Sequence, residues 1–157
     1  SAQTTRSFFR VFRAYVTACG SYTGANADDI SIETAGGTEV ARILAGLGQT
    51  QMAIYTVPAG FQLTVTQIQA TVNSSKVIDL RFWQRQNVTD VTAPFSPKRL
   101  WEDFGEIDQN LNRWVSAPQT FPPCTDIWAA AKTTSGSSSA ISVVFDGILS
   151  QVSGTDP

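Results

Sequence analysis

Residues 77–86, VIDLRFWQRQ, alternate without a break. Ile78, Leu80 and Phe82 fall on one side, and Val77, Asp79, Arg81, Trp83 and Arg85 on the other. Only an extended strand sends successive side chains to opposite faces. The same period of two recurs along the chain, and no segment repeats at the helical period of about 3.6. Such a chain hides its apolar faces by laying sheet on sheet, so the pattern predicts an all-β protein built as an antiparallel β-sandwich.

Turn residues divide the pattern into nine or ten short strands at roughly 8–12-residue spacing. Strands are expected over 8–17 (FFRVFRAYVT), 30–33 (ISIE), 38–44 (TEVARIL, with Val40 and either Ala41 or Ile43 inward), 51–57 and 61–72. More follow at 77–86, 99–107, 114–121, 127–134 and 141–149, where Ile141, Val143, Phe145 and Leu149 share a face. Residues 108–114 read as a crossing between sheets. At Pro58-Ala59-Gly60 proline presets φ near −65° and glycine supplies a positive φ, so the chain reverses. Within 61–72 the apolar set changes parity: Leu63 and Val65 share one phase, and Ile68, Ala70 and Val72 the other. One extra residue near Gln67, a bulge, reconciles them. The alanines of IWAAAKTT are too few to nucleate a helix.

The 157 residues suit one domain, 1–157. Charged residues are 15% of the chain, against about 25% in an ordinary domain. Ser, Thr, Gln and Asn take their place, which suits a polar β surface or a subunit that packs against copies of itself. The net charge is −2 with no Lys/Arg run, giving nucleic acid little to bind. No run of about 18 apolar residues exists to cross a membrane as a helix. The first residues, SAQTTRSFFRVFRAYVTACG, carry arginines, lack a signal-peptide core and lack an initiator Met. They suggest a processed product or the C-terminal part of a longer chain. Two cysteines, Cys19 and Cys124, make no disulfide framework; they read as two reduced thiols, at least one of them buried, with a single long-range bridge as the alternative. Asn73 and Asn87 begin N-x-[ST] sequons, which matter only in a eukaryotic secretory pathway.

Histidine is absent, so the usual His-activated nucleophiles and histidine metal sites are excluded. No phosphate-cradling glycine motif occurs. Glu102 and Glu106, four apart on a strand, are a pair to weigh for glycoside cleavage, against the plainer reading of a charged strand edge. Asp28, Asp29 and Glu33 could present oxygens to calcium, against simple loop solvation. The expectation is a protein with no catalytic role and no cofactor. Four tryptophans are many for this length, and Trp83 shares its face with Asp79, Arg81 and Arg85. A tryptophan among arginines is the composition of a subunit interface, of a sugar- or anion-binding face, or of an exposed sheet with arginines stacked on the ring. Arg10 and Arg13, among Phe8, Phe9, Phe12 and Tyr15, repeat the theme. The candidate interface residues are therefore Arg81, Trp83, Arg85, Arg10 and Arg13.

The order of segments GQTQMAIYTVPAG (48–60), VIDLRFWQR (77–85), PFSPKRLWEDFG (94–105), FPPCTDIWAAAK (121–132) and ISVVFDGIL (141–149) resembles that of a group of tailed-bacteriophage virion structural proteins. In that group a segment like FFRVFRAYV sits in mid-chain, which fits the missing Met. The resemblance implies a jelly-roll-like sandwich and a structural role in the virion, as capsid decoration, head fibre, knob or related appendage. It implies a homo-oligomer, with a trimer favoured, whose partners are capsid or other virion proteins, assembled in the host cytoplasm. It carries no catalytic residues onto this chain. The alternative is a receptor-binding, lectin-like module that presents loops 20–29, 87–98 and 134–140 to host-surface glycans.

Overall fold

The structure, a computed structural model, describes residues 11–18, 26–73, 76–90, 92, 96–135 and 140–152. Among them are nine β-strands and no helix. The contacts divide the chain into two compact units, 1–52 and 53–157.

The second unit is an antiparallel, jelly-roll-like β-sandwich. Its strands are β3 (Ile54–Thr56), β4 (Phe61–Val72), β5 (Val77–Arg85), β6 (Arg99–Ile107), β7 (Asn110–Phe121), β8 (Asp126–Ser135) and β9 (Ile141–Gln151). The first sheet runs β3-β8-β5-β6 and the second β7-β4-β9. Three antiparallel pairs are nested: β5 with β6, β4 with β7 around it, and β3 with β8 outside both. The pairs β5–β8 and β4–β9 then join the nest sideways. This is a long hairpin rolled onto itself, the topology of a jelly roll. In the full eight-strand roll the next pair outward would set β9 beside a strand that precedes β3.

The alternating inner side chains of both sheets form one core. Val65 and Ile68 of β4, Leu80 and Phe82 of β5, Phe121 of β7 and Ile127 of β8 are fully buried. Hiding such a side chain is worth about 1.5–3 kcal/mol. Trp101 of β6 packs edge-on against Phe82, with ring centroids 5.2 Å apart, and against Phe121 at 5.1 Å, so it ties the two sheets together.

Local chemistry sets the corners. Gly60 has φ of 78° and the Phe61 N–H donates to the Pro58 carbonyl at 3.2 Å, as the Pro-Ala-Gly sequence requires. The expected bulge is present: the β4 ladders to both neighbours shift register between Val65 and Gln67. Gly147 faces this region, and a Cβ there would lie 2.7 Å from the Thr64 carbonyl oxygen. Residues 110–121 form one strand, not a crossing followed by a strand. Asn110–Trp114 already pair with β4, which gives their backbone groups partners that an Asn-rich sequence does not advertise.

The first unit holds an antiparallel pair, β1 (Ile30–Glu33) and β2 (Glu39–Ile43). Ala41 and Ile43 are buried, whereas Val40, expected inward, is exposed because it has the opposite phase. The strand expected over 8–17 is replaced, within described residues 11–18, by a single bridge from Tyr15 to Gln49. The Val16 N–H donates to Gly48 and the Thr50 N–H to Ala14, which is too short a pairing for a ladder. Residues 8–10 lie outside the described residues, as does Cys19. Cys124, in the second unit, is a half-buried free thiol.

Candidate functional site

The outer face of the first sheet collects three of the five expected interface residues. β5 lies between β8 and β6, so every second residue of it meets a neighbour on each side. Its outer set is the one that alternation predicted. Arg81 is exposed, and Trp83 and Arg85 are half-buried. Arg81 Nε lies 3.1 Å from Asp103 Oδ2 of β6, its ladder partner. Arg85 stands opposite Asp126 of β8, a buried carboxylate that accepts a hydrogen bond from the Thr56 hydroxyl at 2.7 Å.

Trp83 sits directly across the ladder from Trp128 on one side and from Leu100 on the other. Opposed residues in a sheet hold their Cβ atoms about 4.5–5.5 Å apart, so the two tryptophans are neighbours in a strip along this face. Lys98 covers it, with Nζ 5.0 Å from the Trp83 ring centroid. Ile54 of β3 extends the strip beyond Trp128. Leu100 at its other end is 45% exposed. The sheet thus presents two indoles, two aliphatic side chains and a ring of cations and carboxylates.

Trp128, Leu100 and Lys98 escaped the sequence reading. Alternation within β8 puts Trp128, Ala130 and Lys132 on one face, and the lysine marks that face as outward. Which tryptophan it meets depends on the β5–β8 register, which no local pattern encodes.

Arg13 belongs to the first unit. Its guanidinium donates to Gln49 Oε1 at 3.0 Å and lies 5.5 Å from the Tyr15 ring centroid, so it fastens the 11–18 segment to residues 48–50. Arg10 lies outside the described residues.

The two carboxylate groups are arranged otherwise than their spacing suggested. Phe104 and Ile107 of β6 pair with Leu80 and Ile78 of β5, so an extra residue is inserted between them and Glu106 leaves the face of Glu102. Glu106 has φ of 53°. Glu102 turns toward Arg113 of β7, at 3.5 Å. In the first unit, Asp29 Oδ1 accepts the Ala45 N–H at 2.9 Å and its Oδ2 lies 3.5 Å from Arg42. Hydrogen bonds from Arg42 and then from the Ser31 hydroxyl hold the Glu39 carboxyl below its ordinary range. Among the described residues, no three acidic or thiol side chains converge on a common point.

The second sheet offers a different outer face. Trp114 of β7 is 71% exposed. It stands opposite Gln67 of β4, whose amide donates to Asn112 Oδ1 at 2.9 Å. The Thr64 and Thr120 hydroxyls share a hydrogen bond of 3.0 Å. Gln69 and Thr71 continue the row.

No known protein family, curated protein or solved structure matches this chain.

Proposed function

We propose that the chain is a structural protein of a tailed-phage virion, a decoration protein, head fibre, knob or related appendage, which works by assembling through its sheet surfaces. The observation that carries this reading is the strip of Trp83, Trp128 and Leu100 among Arg81, Arg85 and Lys98. Aromatic and arginine side chains are what interface cores enrich, and a fixed strand surface offers them at little entropic cost. The order of the YTVPAG, FPPCTDI and FD-IL segments supports the virion setting. Closed rotational symmetry, with three copies, is the assembly this reading favours.

The test is co-sedimentation of labelled protein with phage heads that lack it, beside light scattering of the protein alone. Saturable binding is expected, and Trp83→Ala should weaken it by about tenfold or more, as for a central interface anchor. A protein that stays monomeric and binds no particle, with or without Trp83, would overturn the reading.

A further inference from the structure

We infer that the open edge of β9 pairs with β9 of a second copy of this chain, antiparallel and about a twofold axis.

The backbone defines that edge. β4 lies on one side of β9, and among the described residues no strand lies on the other. The Asn73 N–H donates to the Ala140 carbonyl, and the Val152 N–H to the Gly60 carbonyl. In an antiparallel ladder, residues that exchange such bonds alternate with residues that do not. The even-numbered residues of β9 therefore bond to β4 at both ends of the strand. The extra residue of the bulge, Thr66, belongs to β4, so this parity holds along the whole of Ile141–Gln151. The N–H and C=O groups of the odd-numbered residues 141–151 point away from β4.

Sheet edges are ordinarily guarded by shortness, charge, proline or bulges. The other edges of this sandwich, β3, β6 and β7, are guarded in these ways. β3 has three residues. β6 carries Arg99, Glu102, Asp103 and Glu106, and its ladder to β5 shifts register between Ile78 and Leu80 and again between Phe82 and Trp83. β7 carries Pro118 within an irregular run over residues 115–118. β9 is regular over its 11 residues, has no Pro, Lys or Arg, and bears one charge, Asp146. Its apolar side chains are incompletely covered on both faces: Val144 is 48% exposed, Ile148 63% and Leu149 41%. Such an edge is a template for another strand. It also lies where a full eight-strand roll sets its outermost strand, antiparallel to β9.

The side chains of β9 select its own copy as that strand. A twofold axis that pairs every outward group must set odd residues opposite odd residues. An axis at Asp146 gives the longest overlap but opposes two carboxylates, which is unfavourable. An axis at Phe145 overlaps residues 141–149 of both copies. It sets Phe145 against Phe145 and Ile141 against Leu149 on the inner row, and Val144 against Asp146 on the outer. An axis at Gly147 loses Ile141 and opposes two glycines. The Phe145 axis thus joins apolar side chains to apolar ones and keeps each acid off the other. With one charge per strand, the edge has no charge pattern to select a foreign peptide, whereas a second β9 matches it residue by residue. The contact is isologous, the commonest kind in closed assemblies. It joins the two second sheets into one and rests neither on the virion reading nor on the Trp83 strip.

The experiment is sedimentation equilibrium of the full chain over a range of concentrations, with Trp83→Ala present to remove the first-sheet contact. Residue-resolved amide exchange is measured at the lowest and highest concentrations. A monomer–dimer equilibrium is expected, with exchange at the Val143, Phe145 and Gly147 amides slowing as dimer accumulates. Val144→Glu sets a carboxylate opposite Asp146 of the other copy, twice per dimer, and should weaken dimerisation by about tenfold. Val144→Lys sets an ammonium there and should hold or tighten the dimer. Val143→Pro removes an outward N–H and spares the β4 ladder, so it should abolish the dimer with unchanged strand content by circular dichroism. A monomer at every concentration, or Glu and Lys variants that dimerise alike, overturns the assignment. Protection of the odd-numbered amides that does not vary with concentration overturns it in favour of a strand from the same copy. Loss of particle binding leaves the dimer standing, so each reading can fail alone.

Discussion

The two outer faces of the sandwich are made by the same rule and carry opposite chemistry. On both sheets the inner phase of each strand goes to the shared core, and the outer phase is left to be assigned. The first sheet fills it with Trp83, Trp128, Arg81, Arg85 and Lys98, and sets Arg81 against a carboxylate. The second fills it with Gln67, Gln69, Asn112, Thr64 and Thr120, with the exposed Trp114, Val144 and Ile148, and with one acid, Asp146. Tryptophan has a different neighbourhood in each. Trp83 is half-buried under a lysine and beside another tryptophan, whereas Trp114 stands 71% exposed across from the amide of Gln67. The difference teaches that a residue type does not announce its role. The alternate phase of the neighbouring strands decides what surrounds an indole.

The comparison breaks most completely in the core that both faces share. Phe82→Ala removes a fully buried ring that packs against Trp101 and Phe104. A loss of about 3–5 kcal/mol is expected, visible as one cooperative shift in urea midpoint, with both faces lost together. Loss of structure in one sheet at a urea concentration that leaves the other folded would show that the sheets do not stand on one core. A narrower break is Gly147→Ala. The new Cβ would meet the Thr64 carbonyl at 2.7 Å and the Leu63 side chain at 3.0 Å, so β9 must move off β4. A cost of about 1–3 kcal/mol is expected, with amide exchange rising in β9 and β4 ahead of β5 and β8. Equal acceleration in all four strands would remove the distinction. The finest test is charge. Arg81→Ala deletes an exposed pair with Asp103 and should cost about 0.2–1 kcal/mol, shrinking as salt is added. Thr64→Val, on the outer face of the second sheet, should show no such salt dependence. A salt-independent loss at Arg81 would mean that its methylene stem, not its charge, matters there.

Much of this architecture was legible in the residues, wherever one side chain in two had to be apolar. The two faces of β5 follow from alternation alone. The bulge at Gln67 could be read because it shifts the apolar phase of Leu63 and Val65 relative to Ile68 and Ala70. Edge strands were harder. β7 has a polar outer phase, a proline and an irregular stretch at 115–118, so its beginning read as a crossing and Trp114 drew no attention. The extra residue beside Glu106 shifts no apolar phase strongly, so a four-residue spacing was misleading there. The 8–17 segment has strand propensity throughout, yet propensity cannot say whether a partner ladder exists. The meeting of Trp83 with Trp128 required topology, the level at which local pattern is silent.

The nesting of the strand pairs also bears on how the chain finds its fold. Ile54 and Trp128 are far apart in sequence, and a loop of that length would be costly to close from an open chain. Once β5 and β6 have met, however, β4 and β7 are tethered to that pair only by residues 73–76 and 108–109. After they meet, β3 and β8 are tethered by residues 57–60 and 122–125. Each step then closes a loop of a few residues, and the entropy of closure grows only with the logarithm of loop length. The mean sequence separation of contacts therefore overstates the search this chain must make. By loop entropy alone, the step that sets the barrier is the first one, across residues 86–98, and the later pairs zip outward from it.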